Sequence, residues 1–200
     1  MDTSDPSIVS SNEGICDNCN QFEKITKKYW LEKQNNQEDF QKIISKIKST
    51  KSGKYDCLLG LSGGIDSSFL LHYAVKELGL SPLVFHVDGG WNSDISVSNI
   101  KSLVSKLNLD LFTEVINWEE MRLFQLSFFK SGVPHIDIPQ DHAFISTLYN
   151  YANNNGIKWI LNGGNVSTEC IRNPLKYFYY GTDMKHINYI RKKFGAKNMP

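Results

Sequence analysis

The chain has 200 residues, 40% of them hydrophobic and 22% charged, which is ordinary for a soluble globular protein with room for one well-buried domain. A formal net charge of +1 gives no electrostatic case for nucleic acid as an obligate partner. No apolar run approaches a membrane span, and Met1-Asp2-Thr3-Ser4-Asp5-Pro6 lacks the basic and apolar regions of a signal peptide, so a cytoplasmic protein with no membrane partner is expected.

Residues 1–20 read as loop, rich in the turn formers Asp2, Ser4, Asp5, Pro6, Ser10, Ser11, Asn12, Gly14 and Asn18. Within them lies Cys16-Asp17-Asn18-Cys19. This spacing suits two thiolates on one zinc ion, but structural zinc takes four ligands, and Cys57 and Cys170 lie elsewhere. The residues alone are equally those of half a zinc site and of two free thiols. Four cysteines do not make a disulfide framework at this length. Residues 21–50 alternate charge with Phe22, Ile25, Tyr29, Trp30, Phe40, Ile43, Ile44 and Ile47, and the later spacing is helical. Asn35-Asn36 is expected to divide the stretch into two helices whose lysines form a solvated face. A first region, 1–50, is thus expected to precede a larger one, 51–200.

From Tyr55 the chain alternates strand and helix. Strands are expected at Tyr55–Leu61, Leu83–Asp88, Leu111–Ile116 and Lys158–Asn162. Helices are expected over about Ser67–Leu78, Asp94–Leu107, Asn117–Lys130, Asp141–Asn154 and Asp183–Phe194, with Asn117 and Asp141 as caps. That rhythm predicts an α/β fold, a parallel sheet covered by helices on both faces. In such sheets ligands sit at the carboxyl ends of the strands. Three of those ends carry glycine pairs, Gly63-Gly64, Gly89-Gly90 and Gly163-Gly164, which suggests close ligand approach to the backbone along one edge.

The first of these ends is Leu61-Ser62-Gly63-Gly64-Ile65-Asp66-Ser67-Ser68, between an apolar strand and a helical pattern. The glycines permit a sharp turn with positive φ, successive N–H groups then face one concavity, and the helix adds its positive end. Ser62, Ser67 and Ser68 add hydroxyls. A bare carboxylate at Asp66 would repel a phosphate, but it fits if it holds a magnesium ion that bridges to the phosphates. No Lys follows the glycines, so this is not the Gly-x4-Gly-Lys loop. It resembles the PP-loop of ATP pyrophosphatases, which split ATP between the α- and β-phosphates.

Further segments narrow the resemblance. Cys16-Asp17-Asn18-Cys19, Val87-Asp88-Gly89-Gly90-Trp91-Asn92-Ser93, Ser131-Gly132-Val133-Pro134, Asp137-Ile138-Pro139-Gln140-Asp141-His142 and Asn162-Gly163-Gly164-Asn165 with Thr168-Glu169 resemble the N-acetyl sugar amidotransferases of lipopolysaccharide and other surface-polysaccharide biosynthesis. These enzymes form one PP-loop group. The resemblance implies a three-layer, adenine nucleotide alpha hydrolase-like fold with strand order 3-2-1-4-5. It implies an ATP-dependent, AMP-forming amidotransferase that turns a sugar's N-acetyl group into an acetamidino group. Ammonia would come from a separate class I glutaminase subunit.

Carried over residue by residue, Leu61, Ser62, Gly63, Gly64, Asp66, Ser67 and Ser68 would bind ATP. Asp88 would touch ribose or adenine, unless it merely forms its turn. Gly163, Gly164 and Asn165 would approach the α-phosphate or the reacting centre. Asp137 and Gln140 would meet the sugar, with Asp141 and His142 in a catalytic role. Arg172 would pair with a sugar carboxylate or diphosphate, or lie on the surface. Asp66 and Glu169 would hold magnesium, and Cys16 and Cys19 zinc. His72 and His86 are read as structural.

The family's usual upstream Cys-x2-Cys pair is absent here, and its members are longer. The chain is therefore expected to lack the fifth strand and to be one part of a larger enzyme. Two alternatives stand beside this reading. One is a tRNA-thiolating PP-loop enzyme; the other is an inactive nucleotide-binding or docking fragment.

Overall fold

In the computed structural model, residues 7–28, 37–51, 53–164 and 182–195 are described below. The chain divides into two compact units, Met1–Lys46 and Ile47–Pro200. In the first, a tight turn precedes the cysteines. Ser10 bridges Cys16, Ser11 N–H donates to the Ile15 carbonyl at 2.9 Å, and the Ser11 hydroxyl accepts from Glu13 and Ile15 N–H. The expected loop ends earlier than its composition suggested. Helix α1 (Asp17–Gln21) starts within it and runs on into a π-helical turn, Phe22–Thr26. Helix α2 spans Gln37–Ser49. The break expected at Asn35-Asn36 lies outside the described residues.

The second unit is an α/β sandwich. Its elements are β1 (Cys57–Gly60), α3 (Ile65–Lys76), β2 (Pro82–Asp88), α4 (Asp94–Leu107), β3 (Leu111–Val115), α5 (Trp118–Ser131), α6 (Ile138–Asn154), β4 (Ile160–Leu161) and α7 (Met184–Phe194). Four parallel strands pair in the order β3-β2-β1-β4, as expected for the first four positions. Leu59 faces Val84 and Leu161, and Phe85 faces Phe112, which fixes the register. Because strand side chains alternate, Leu83, Phe85 and Val87 point to one face. There they pack with Leu58, Ala152 and Ile157, joined by Phe112, Phe144, Leu148 and Tyr151. This is the layer beneath α6. The right-handed rule for parallel crossovers sets α3 and α4 on the opposite face, where the buried residues Cys57, Leu59, Val84, Leu71 and Ala74 belong. Helices α5 and α7 close a second apolar cluster around Phe128, Ile138, Ile187 and Ile190.

Caps set most helix boundaries. The Ser93 hydroxyl accepts from Ser96 N–H at 3.2 Å and starts α4; Asn108, at φ +51°, ends it. Asn117 Oδ1 accepts from Glu119 N–H at 3.0 Å and Glu120 N–H at 3.4 Å, as its position before the periodic stretch predicts. Replacing Asn117 with Ala should cost about 1 kcal/mol of stability, read as a lower urea midpoint. Helix α6 departs from expectation. It opens at Ile138, with Asp137 at its cap position and Asp141 inside the first turn rather than capping it. Pro139 explains the difference: its fixed φ suits a first helical turn and its missing N–H is no loss there. Gln140 and Asp141 N–H already donate to the Asp137 carbonyl, at 2.9 and 3.1 Å. Strand β4 is shorter than the expected Lys158–Asn162.

At the amino-terminal edge of the sheet, the Lys54 ammonium and the Tyr55 hydroxyl both bond Asp110, the latter at 2.6 Å. They hold its carboxyl below the usual range. A depressed folded-state pKa adds stability above the unfolded value, near 4, and loses it as pH falls through the lower folded value. Asp110→Asn should therefore have a lower denaturation midpoint than the parent at pH 7, and the two should converge as pH falls through the lowered folded-state value. The effect should be small, because the pair is solvated.

Candidate functional site

The carboxyl end of β1 forms the floor of a cavity of about 530 Å³. Leu61 N–H continues the ladder to the Phe85 carbonyl at 2.9 Å, and the chain then turns through Ser62-Gly63-Gly64 into α3. Gly63 has φ +79°, and a Cβ there would lie 2.4 Å from the Ser96 carbonyl oxygen. The Asn99 side-chain amide donates to the Gly63 carbonyl at 3.0 Å. The loop is thus locked against the first turns of α4, and two helix amino termini meet at one point.

Within the loop, Ser62 and Ser67 hydroxyls lie 3.0 Å apart. Ser67 Oγ also accepts from Ser62 N–H, and Ser62 Oγ from Gly64 N–H, both at 3.3 Å. Ser67 is buried, Ser68 half-buried and Asp66 exposed. From the far side β4 closes in: a Cβ on Gly163 would stand 2.9 Å from Ser67 N. The glycines at these two strand ends are therefore required by the chain's own packing, a reason that their spacing alone did not disclose. The same holds for Gly90, whose Cβ would meet the Trp118 ring at 2.4 Å.

The cavity is polar at the loop and apolar opposite. Ser62, Asp66, Ser67, Ser93 and Ser96 line one end, and Phe85, Phe144, Ile145 and Leu148 the other. His86 and Asn92 also line it. The buried His86 ring bonds the Leu61 carbonyl through Nδ1 at 2.9 Å and the Asn92 side chain through Nε2 at 3.1 Å. Trp91 lines the wall, its indole N–H donating to Gln125 Oε1 at 2.6 Å and its ring edge-on to Trp118 at 5.3 Å. Among the described residues no Lys or Arg lines this cavity. A polyanion would be held by backbone N–H groups, hydroxyls and a cation carried with it. Asp66 fits a magnesium site of the usual kind, one or two carboxylates completed by phosphates and water. Among the described residues no group of three or more His, Cys, Asp or Glu is placed to hold a metal ion by itself.

Of the expected site residues, Leu61, Ser62, Asp66, Ser67, Gln140 and Gly163 line this one cavity, with Gly63, Gly64 and Ser68 building its loop. Asp88 does not line it; its Oδ1 accepts from Gly90 N–H at 2.9 Å, which is the turn-forming role. Gly164 N–H donates to Asn162 Oδ1 at 3.0 Å. The segment Asp137–His142 is split by the helix it begins. Gln140 faces the main cavity, whereas His142 lines a second one of about 390 Å³, with Glu120, Phe124, Pro139, Ile187 and Arg191. Asp137 and Asp141 are exposed to solvent on one side; desolvation by the surrounding protein atoms on the other, and then the Asp137 carboxylate, raise the Asp141 carboxyl above its usual range. Asn165, Glu169 and Arg172 lie outside the described residues.

Cys16 and Cys19 are brought together, their sulfurs 3.3 Å apart. Cys16 caps α1, and Cys19 N–H donates to its sulfur at 3.3 Å, lowering the thiol's pKa; the bond from Cys16 raises that of Cys19. The pair fits two of the four ligands of a structural zinc ion. Sequence reasoning did not assign His86, Trp91, Asn92, Ser93 or Ser96 to the site. The helix-cap pattern Ser93-x-x-Ser96 directly after a strand end was the available signal for two of them.

Among the described residues no helix is long and apolar enough to cross a membrane. No protein-family model and no curated protein matches the sequence. Solved structures similar to the chain include NMN synthetase from Francisella tularensis, at 22% identity and a TM-score of 0.48, covering 62% of this chain and 52% of that one. A second is glutamine-dependent NAD+ synthetase from Acinetobacter baumannii in complex with adenosine diphosphate, at 24% and 0.46, covering 56% of this chain and 22% of that one. A third is NH3-dependent NAD synthetase from Campylobacter jejuni subsp. jejuni NCTC 11168 in complex with the nitrate ion, at 21% and 0.45, covering 64% and 57%. The chain thus spans between about a fifth and three fifths of the length of these proteins.

Proposed function

We propose that this chain is the ATP-cleaving part of an AMP-forming amidotransferase acting on an N-acetyl sugar. The carrying observation is the cavity's polarity: an anion cradle of hydroxyls and two helix amino termini at one end, aromatic and aliphatic walls at the other. That arrangement suits a nucleotide with its phosphates on Ser62–Ser68 and its base against Phe85, Phe144 and Leu148.

The reaction follows from what an amide lacks. Its oxygen is a poor leaving group. Attack of that oxygen on the α-phosphorus breaks the α–β bond, releases pyrophosphate and leaves an O-adenylyl imidate, with the amide N–H proton given up. Ammonia then adds to the same carbon, AMP departs with the former amide oxygen, and the acetamidino group remains. The loop's N–H groups and hydroxyls would bind the departing pyrophosphate, where charge develops. A magnesium ion held by Asp66, with Glu169 as second carboxylate, would neutralise part of that charge.

Support for the sugar substrate and for a class I glutaminase partner comes from the family resemblance of Val87–Ser93 and Asp137–His142. In this reading Gln140 serves the sugar together with Asn165 and Arg172, whereas His142, which lines the second cavity, and the exposed Asp137 and Asp141 stand apart from the reacting centre. Cys16 and Cys19 give half of a zinc site. The test is product analysis with ATP, magnesium, ammonia and a panel of nucleotide-linked N-acetyl sugars. Sugar-dependent AMP and pyrophosphate support the proposal. ADP and phosphate, or nucleotide turnover indifferent to every sugar, would refute it.

A further inference from the structure

One polar side chain on the cavity wall has its orientation set by its neighbours. The Leu61 carbonyl can only accept, so His86 must donate to it from Nδ1. Asn92 Nδ2, which can only donate, stands 3.1 Å from the other ring nitrogen, so Nε2 accepts and the ring is the Nδ1–H tautomer. Only the NH2 end of Asn92 can supply that bond, at 3.1 Å. The amide is thereby fixed, and Asn92 Oδ1 is the end left for the cavity it lines.

The other polar groups there are already committed. Ser62 and Ser67 bond each other and their own loop. The Ser96 hydroxyl donates to the Ser93 carbonyl at 2.8 Å, and the Ser93 hydroxyl takes Ser96 N–H. Asp88, the acidic residue at the end of β2 where a ribose is commonly held in such folds, is turned to Gly90 instead. Gln140 is the second amide in the cavity, but no described hydrogen bond decides which of its ends faces inward. Among the described residues nothing donates to Asn92 Oδ1. It is linked through the His86 ring to the carbonyl of Leu61, the residue that opens the loop Ser62–Ser68.

We infer that Asn92 Oδ1, oriented by His86, is the acceptor that reads a ribose hydroxyl of the bound nucleotide, making the cavity selective for ribonucleotides. This rests on the nucleotide reading above. Asn92 is the binding residue and His86 its positioning residue. The pair takes over at the end of β2 the task that sequence reasoning had given to Asp88.

Calorimetric titration of the full chain with magnesium and ATP, 2′-deoxy-ATP or 3′-deoxy-ATP tests it. Asn92 is exposed, so the parent chain should bind ATP about five-fold tighter than one of the deoxy forms, the order of one neutral hydrogen bond. In Asn92→Leu that preference should fall to near one, with affinity for the disfavoured deoxy form almost unchanged. His86→Phe should show the same collapse although the residue never touches the ligand. A merely structural role for His86 would instead weaken all three ligands together. Equal binding of all three by the parent chain would overturn the inference while leaving the nucleotide site intact. A preference that survives Asn92→Leu would overturn it in favour of another acceptor, such as Gln140. Failure of the parent chain to bind any of the three would overturn the nucleotide reading itself.

Discussion

Replacing Asp66 with Ala should lower AMP formation about a thousand-fold and make ATP binding indifferent to magnesium, with little change in stability. The first effect is of the size seen when one group that stabilises developing charge is removed. It should exceed the loss from any single serine in the loop, because those hydroxyls share their work with backbone N–H groups. The small effect on stability follows from position. Asp66 lies exposed in the first turn of α3, where a carboxylate gains at most about 1 kcal/mol from the helix dipole. Asp66→Asn separates charge from size: it keeps the shape and should lose nearly as much activity. Activity within ten-fold of the parent in either variant would remove Asp66 from the metal site.

Gly63→Ala is expected to be the most damaging small change in the loop. Two costs add. A φ of +79° is strained for a residue with a Cβ, by roughly 1 kcal/mol. The added carbon would also press on the Ser96 carbonyl at 2.4 Å, and forcing apart a close-packed contact costs about 1–3 kcal/mol more. Gly132 provides the control. It has a similar φ of +71° at the end of α5, with nothing within 4 Å of its Cβ position. Gly132→Ala should pay the backbone cost alone, so thermal or urea unfolding of the two variants should differ by about 2 kcal/mol. Gly63→Ala should also lose ATP affinity, because relief of the clash moves either the loop or the start of α4. Equal destabilisation of the two variants would mean that the loop and α4 are not locked together.

The sheet was readable from the sequence because its signals are local. Leu83, Val84, Phe85 and Val87 make a dense β-forming apolar stretch, Ser93 and Asn117 carry cap chemistry, and the alternation of strand and helix leaves few topologies. The start of α6 was misjudged because Asp141 is as good a capping residue as Asp137, and only Pro139 discriminates between them. That error matters to the site, since an earlier helix start turns Gln140 and His142 toward different cavities.

The loop Ser62–Ser68 stood out through its glycines and its place between strand and helix. The rest of the cavity wall did not, because its residues belong together only after the sheet has formed. His86 looks like any histidine within a strand until its ring is seen between Leu61 and Asn92. Trp91 gains its fixed position from Gln125 and Trp118, more than 25 residues away in sequence. The reason for Gly163 lies in the backbone of Ser67, which no pattern within either segment reveals.

The most direct test of the central claim, that the cavity at the end of β1 is a nucleotide site, is a backbone-amide NMR titration of the chain with ATP and magnesium. The amides of Ser62–Ser68, Asn92–Ser96 and Gly163 should shift together and saturate with one dissociation constant, while those around Phe124 and Ile187 at the second cavity stay in place. Shifts confined to the second cavity, or none in the loop at saturating ATP, would contradict the account.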